Sequence, residues 1–312
     1  MPYVFGPVPS RRLGLSMGLD LIPAKTCTYD CLYCQVGRTT SKILEPQPFV
    51  PVGEIIAELE KRLQKSAPDV ITLAGSGEPT LHSEIDKLIS AIKEITKTDV
   101  VLLTNGSLFF REDVRKRVLG ADIIMPTLTS SFDQTFKKIH RPHPGLSLDA
   151  VLGGLETLRQ DFHGRLFLEV VLLAGINDTE KEIEGLKKAM PRIDPDKIQL
   201  NTVVRPPADR GAISVDIKRI EEIKTYLGAK AEIVAGGPGR GESVQDKSLI
   251  STFLDMAGRR PLRSVDISCA LNLSMDEVES LVKGLLIKGY VKRQEHAGEV
   301  YYARCQQSEG NR

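Results

Sequence analysis

The chain has 312 residues; at roughly 100–200 residues per domain this predicts two domains, or one large domain with an appendix. Its 42 Lys and Arg against 41 Asp and Glu give a formal charge of +1, which supplies no chain-wide attraction for nucleic acid or an anionic membrane. With 41% hydrophobic and 27% charged residues it is too apolar for disorder. Five cysteines cannot all pair, no signal sequence opens the chain, and its apolar runs fall short of the ~20 residues of a membrane helix, so we expect a reducing, cytoplasmic setting with no membrane partner.

In chain order, an apolar run at 19–23 leads into three cysteines within eight residues, Cys27, Cys31 and Cys34. A strand at 69–73 ends in Gly75-Ser76-Gly77, and Ile85, Leu88, Ile89 and Ile92 follow at helical spacing. A strand at 99–104, a charged helix at 111–119, a strand at 122–125, a helix at 148–159 and a strand at 166–173 come next. Thr179 and Glu182 form a capping-box pattern opening another helix. A strand at 197–203, a helix at 217–227 and a short strand at 232–234 complete the alternation. The Val, Ile and Leu content of these strands fits burial on both faces of a parallel α/β sheet, open or curled into a barrel, with active residues at the C-terminal strand ends.

The pattern then changes. Glycine-rich residues 236–246 read as a linker, because no Lys-Ser/Thr pair follows them as a phosphate loop requires. Residues 247–312 show three helices and a β-hairpin, the order of a winged helix. The preceding 1–235 form the core domain. The third C-terminal helix opens with Asp276, Glu277 and Glu279, which would repel phosphates in a groove, so sequence-specific DNA binding is not expected, despite a small basic wing of Lys288, Lys292, Arg293 and His296. A protein-interaction or substrate-presenting role suits it better. Cys269 reads as a small buried hydrophobe and Cys305 as a tail thiol.

The spacing Cys27-x-x-x-Cys31-x-x-Cys34 gathers soft sulfur ligands suited to zinc, copper(I) or an iron–sulfur cluster. A structural zinc site wants a fourth ligand, and no histidine is near in sequence. A four-iron cluster usually takes four cysteines, so three leave one iron open to bind and activate a ligand. Three structural thiols, or zinc completed by a distant ligand, stay open as readings at this point.

Cys27-x-x-x-Cys31-x-Tyr33-Cys34 resembles the signature of the radical S-adenosylmethionine (SAM) superfamily, with an aromatic residue before the third cysteine. The resemblance covers about 15–235. Gly75-Ser76-Gly77-Glu78-Pro79-Thr80 is similar to the family's Gly-Gly-Glu motif after the second strand, with Ser76 as the departure. Thr104-Asn105-Gly106 matches the end of the third strand, and Gly175-Ile176-Asn177-Asp178 the turn after the fifth. The resemblance implies a partial six-stranded (β/α) barrel and one [4Fe–4S] cluster on Cys27, Cys31 and Cys34, whose open iron takes the SAM amino and carboxylate groups. It implies one-electron cleavage of SAM to a 5′-deoxyadenosyl radical that abstracts a substrate hydrogen, with an electron donor such as ferredoxin or flavodoxin. SAM contacts would come from Tyr33 beside the adenine, the backbone of Gly75 and Gly77, and Glu78. Thr104, Asn105, Thr127, Thr129, Gly175, Asn177 and Asn201 would complete them.

The opening Phe5-Gly-Pro-Val-Pro-Ser-Arg-Arg-Leu-Gly14, and Phe136-Lys-Lys-Ile-His-Arg-Pro142, resemble the iron–sulfur oxidoreductases grouped with wyosine-base tRNA synthases. In that group the tRNA enzyme needs a second cluster, whereas here no cysteine precedes Cys27, and Cys269 and Cys305 fall in the other domain. The substrate is therefore left as RNA, a peptide or a small molecule. A glycyl-radical-enzyme activase and an iron–sulfur winged-helix sensor are the competing readings. Arg11 and Arg12 are either a bidentate hold on a carboxylate or phosphate or a solvated pair. His140 and His143 are placed in a loop after the fourth strand, where they could meet substrate.

Overall fold

The computed structural model describes residues 2–234, 249–271 and 273–305; the sequence-predicted linker at 236–246 lies outside them. The chain opens with β1 (Val4–Ser10), β2 (Gly14–Asp20) and the two-residue strands β3 (Thr26–Cys27) and β4 (Ser41–Lys42). It continues through α1 (Val52–Leu63), β5 (Val70–Ala74), a 3-10 turn (Pro79–Leu81), α2 (Ile85–Ile95), β6 (Asp99–Thr104), α3 (Glu112–Val118) and β7 (Ile123–Pro126). Then come α4 (Asp133–His140), α5 (Leu148–Asp161), β8 (Arg165–Leu172), α6 (Glu180–Ile193), β9 (Lys197–Thr202), α7 (Ile217–Leu227) and β10 (Ala231–Ile233). The C-terminal part holds α8 (Leu249–Arg259), α9 (Ser264–Leu271), α10 (Met275–Ile287), β11 (Val291–His296) and β12 (Glu299–Arg304).

One sheet runs β1-β2-β5-β6-β7-β8-β9-β10, parallel from β2 onward, with β1 antiparallel at its edge. The six parallel strands β2 and β5–β9 are the number expected for a partial six-stranded (β/α) barrel. Alternate residues face the helices: Met17, Leu19, Ile71, Leu73, Val100, Leu102, Leu168 and Val170 join the main core. The opposite set faces the bore, where Val70, Val101, Ile123, Met125 and Phe167 pack with Leu13. Among the described residues, no helix is long and apolar enough to cross a membrane.

The β1–β2 hairpin is not legible in sequence, because Gly6, Pro7 and Pro9 interrupt β1 and Gly18 interrupts β2. Tertiary packing overrides those propensities. Proline is tolerated on an edge strand, the register shifts between Phe5 and Val8, and Gly18 leaves the space that the Phe5 ring fills. The predicted capping box of α6 is half formed: Thr179 accepts from the Glu182 N–H, but the Glu182 carboxylate accepts instead from Ser130 and Thr135, each at 2.6 Å. The buried Ser130 hydroxyl and the half-buried Thr135 hydroxyl outcompete the local bond.

The C-terminal helices and hairpin follow the predicted order, and α10 opens with the full Ser274–Glu277 capping box. Their core of Phe253, Met256, Leu262, Ile267, Val278, Val282, Leu285 and Val291 includes Val8 of β1, so the edge strand is capped rather than exposed. Arg259 stacks over the Phe5 ring at 4.3 Å and donates to the Pro2 carbonyl at 2.7 Å. The hairpin reaches the end of β9 through Tyr301, whose hydroxyl donates to the Val204 carbonyl, and His296, 3.1 Å from the Val203 carbonyl.

Helix α5 seats on the 106–111 turn through Gly154, where an added Cβ would lie 2.4 Å from the Phe110 amide nitrogen and 2.5 Å from the Phe109 carbonyl carbon. Backbone cannot rotate away as a side chain can. Gly154→Ala should therefore cost about 1–3 kcal/mol, read as a lower urea midpoint at unchanged m-value.

Candidate functional site

The cysteine loop is clamped from three sides. On one side β3 pairs with β4, and Ile43 N–H donates to the Cys27 carbonyl at 3.1 Å. Against the second lies the C-terminal end of α4: Asp30 N–H donates to the His140 carbonyl and Leu32 N–H to Ile139, both at 2.9 Å. The third is the turn after β5. There Lys25 N–H donates to the Ser76 carbonyl at 2.7 Å and Glu78 N–H to the Thr26 carbonyl at 3.2 Å. Gly75 has φ +133° and Gly77 sits so close to the loop that a Cβ would meet the Thr26 carbonyl oxygen at 2.0 Å. Asp20, ending β2, holds the same turn by accepting from Ser76 N–H at 3.0 Å and Ser76 Oγ at 2.7 Å.

Glu78 is buried, and its carboxylate does not face open space. It accepts from Thr80 N–H (3.1 Å), Thr80 Oγ1 (2.6 Å), Thr104 Oγ1 (2.5 Å) and Asn105 N–H (2.7 Å). Burial raises its pKa, against the lowering by these donors. The carboxylate thus ties the end of β6 to the end of β5. Asn105 carries the tie onward: its Nδ2 donates to Thr28 Oγ1 at 2.7 Å and lies 3.5 Å from Cys27 Sγ.

Cys27, Cys31 and Cys34 are free thiols, each partly exposed. Burial pushes the Cys27 thiol up to about 12, with the Glu78 charge adding to it; Cys31 and Cys34 are also raised, chiefly by burial. Cys31 meets a partner not expected from sequence. His140 is the last residue of α4 rather than part of a loop, and it is buried, with Nδ1 3.2 Å from Cys31 Sγ and Nε2 2.6 Å from Thr129 Oγ1. Tyr29, Phe136 and Tyr33 surround the ring at centroid distances of 4.8, 5.2 and 5.9 Å. Burial lowers its pKa to about 3, so the imidazole is neutral and can donate at one nitrogen while accepting at the other. Tyr33 itself packs beside Leu32, Ile139, Leu173 and Val203.

The later strand ends divide into two groups. Thr127 and Asn201 converge on Glu169 of β8, donating at 3.1 Å each, and Arg12 closes the group at 2.6 Å. Sequence reasoning missed Glu169, although a lone acid in an otherwise apolar strand was the available signal. Asn177 is committed to backbone: Oδ1 accepts from Leu173 N–H at 2.7 Å, and Nδ2 donates to the Thr129 and Val171 carbonyls at 2.8 and 2.9 Å. Gly175 has φ +70° with open space at its Cβ position.

The donor set fits an iron–sulfur cluster. Among the described residues, no three His, Cys, Asp or Glu side chains converge as they would on a single ion. A four-iron cluster takes each thiolate on a different iron and needs no such convergence. Residues 21–188 match the family model described as the Radical SAM superfamily. The chain belongs to that superfamily. Radical SAM proteins are enzymes that use a [4Fe–4S] cluster and SAM, and so this chain is a radical SAM enzyme. A UPF0026 protein of Methanocaldococcus jannaschii is 33% identical over 97% of this chain and 96% of its own length. A protein of Brachyspira hyodysenteriae named GTPase Obg is 37% identical over 96% of this chain, which spans only 45% of that relative. Among solved structures, TYW1 with a lysine-pyruvate adduct bound shares the fold at a TM-score of 0.53 and 18% identity, covering 72% of this chain and 75% of its own. Streptococcus suis SuiB bound to S-adenosylmethionine does so at 0.52 and 14%, covering 69% of this chain and 49% of its own.

Two outcomes test this geometry. Gly77→Ala must displace the Thr26 carbonyl and with it Cys27, so the anaerobically reconstituted variant should lose most of its bound iron and sulfide. The second concerns pH. Between the His140 folded value of about 3 and its ordinary 6.5, the unfolded chain binds a proton that the folded one does not. Its stabilising contribution is therefore complete above pH 6.5 and is lost as pH falls toward 3, at about 1.4 kcal/mol per pH unit where the difference is one full proton. In iron-free protein, His140→Phe should show a smaller drop in unfolding free energy from pH 7 to pH 5 than the wild type.

Proposed function

We propose that Cys27, Cys31 and Cys34 hold one [4Fe–4S] cluster with its fourth iron open to SAM, and that the enzyme abstracts hydrogen from an organic substrate bound in the barrel. The observation that carries this reading is the three-thiol loop, braced at the C-terminal ends of β2 and β5 by the Ser76 and Gly77 turn. When bound, the cluster and SAM supply a carbon-centred radical from a one-electron donor, here a ferredoxin- or flavodoxin-class protein of a reducing, cytoplasmic compartment. The residues do the positioning. Asn105 and the Glu78 carboxylate fix the rim beside Cys27, while His140 supports Cys31 from behind. The backbone of Gly75, Gly77 and Gly175, the Tyr33 ring, the Thr127 and Thr129 hydroxyls and the Asn177 and Asn201 amides border or support the space for SAM.

Residues 1–235 would form the catalytic body and 247–312 a winged-helix-like module that covers β1 and borders the substrate space. A wyosine-like action on RNA is the finer alternative, but the near-neutral charge of the chain gives it no electrostatic support.

Anaerobically reconstituted protein with SAM and dithionite should release 5′-deoxyadenosine. Replacing Cys27, Cys31 or Cys34 by Ala should abolish both that release and the iron content, whereas Cys269→Ala and Cys305→Ala should leave both intact. No release from wild-type protein carrying a full cluster would refute the assignment.

A further inference from the structure

A second cluster of charge lies away from the cysteines. The end of β9, the β1–β2 turn and the C-terminal hairpin enclose a cleft of about 200 Å³ lined by Arg11, Thr202, Arg205, Ser214, Arg263 and Tyr301. Arg12 and Arg260 stand close behind, near enough for their charges to act on Arg11 and Arg205. Five guanidinium groups thus share one region, yet only two carboxylates answer them from inside it. Asp266 is shared between Arg263 at 3.3 Å and Arg205 at 3.7 Å, and Glu169 is taken by Arg12 at 2.6 Å. Glu299 adds one acid at the exposed rim. Among the described residues, Arg11 and Arg260 have no ion-pair partner.

The hydrogen bonding is incomplete in the same place. Arg11 NH1 and Arg205 Nε are both buried without an acceptor, and the Arg205 side chain is only 10% exposed. Such donors normally find a partner, because leaving them unpaired costs the full desolvation of a charged group. The crowding also registers in acidity: burial, then the neighbouring arginines, brings Arg11 down to about 10 and Arg260 to about 9. Perturbed charged groups lining a cleft are characteristic of functional sites, and an anionic ligand would supply the missing charge here.

We propose that this cleft binds the phosphate of a small phosphorylated molecule. Two or more uncompensated positive charges match a phosphate monoester dianion better than a single carboxylate, and guanidinium forks offer the paired donors that phosphate oxygens accept. The cleft admits a phosphate group but not a duplex. Arg12 links it to Glu169, and so to Thr127 and Asn201 in the bore. A phosphate held here would leave the rest of the molecule directed into the barrel. That this molecule is the substrate rests on the radical SAM reading above, but its binding does not.

The test is calorimetric titration of the full chain, cluster-reconstituted, with inorganic phosphate, glycerol 3-phosphate, acetate and a 5′-phosphorylated single-stranded oligonucleotide, alongside thermal melts. Phosphate and glycerol 3-phosphate should bind and raise the melting temperature, and acetate should do neither. Arg11→Gln should weaken phosphate binding about tenfold or more. Without phosphate, the variant should melt no lower than the wild type, because it loses repulsion rather than a partner. Cys27→Ala should still bind phosphate, so loss of cluster chemistry is distinguishable from loss of this site. The proposal is overturned by absence of phosphate binding, by equal binding in Arg11→Gln, by acetate matching phosphate, or by oligonucleotide binding that free phosphate does not compete.

Discussion

Three thiols on one short loop must be held at fixed spacing although each, once ionised, repels the other two. The rest of the site follows from that constraint. The loop has little regular structure of its own, only the two-residue pairing of β3 with β4. Its rigidity is borrowed from backbone contacts to the turn after β5 and the end of α4. Gly77 is needed because two backbones approach too closely for a side chain. Glu78 is buried for a related reason. Its four donors fasten two neighbouring strand ends together beneath Cys27, and the Asp20 carboxylate does the same for Ser76 from the strand on the other side.

The barrel supplies an interior of two characters. One part of the bore is filled by Val70, Val101, Ile123, Met125 and Phe167, and the other carries Glu169 with its three donors. The strands alternate sides, so a single acid at an inward position suffices to make a polar centre, and Arg12 neutralises it from the β1–β2 turn. The edge of the sheet is covered by the C-terminal helices and hairpin, which share Val8 as a core residue. Covering the edge also brings Arg260 and Arg263 to Arg205, in the loop after β9, and to the arginines of the turn. The structural cost of excess positive charge is therefore concentrated where the C-terminal part meets the barrel.

Several assigned residues turn out to hold the site together more than to face it. Asn177 satisfies three backbone groups, and Glu78 is fully occupied by donors. Thr129 orients His140. A polar residue at a strand end reads the same in sequence whether its side chain points into the cavity or back at a neighbouring carbonyl. His140 was legible as polar but not as buried, although its place on the Phe136–Ile139 face of α4 carried the signal.

The sequence by itself determined the alternation of strands and helices, the three-cysteine loop, the glycine turns that accompany it and the order of the C-terminal elements. These are local facts of hydrophobic period, spacing and backbone freedom. Tertiary structure decided the β1–β2 hairpin, whose prolines and glycines hide an edge strand. It also decided the pairing of Cys31 with His140, Glu169 with Arg12 and Asp266 with Arg205, which join residues 109, 157 and 61 positions apart. Charge compensation and burial depend on which groups meet across the fold. Five arginines, of which only Arg11 and Arg12 stand out in the chain, become one cluster with too few carboxylates only when the barrel and the C-terminal hairpin close around them.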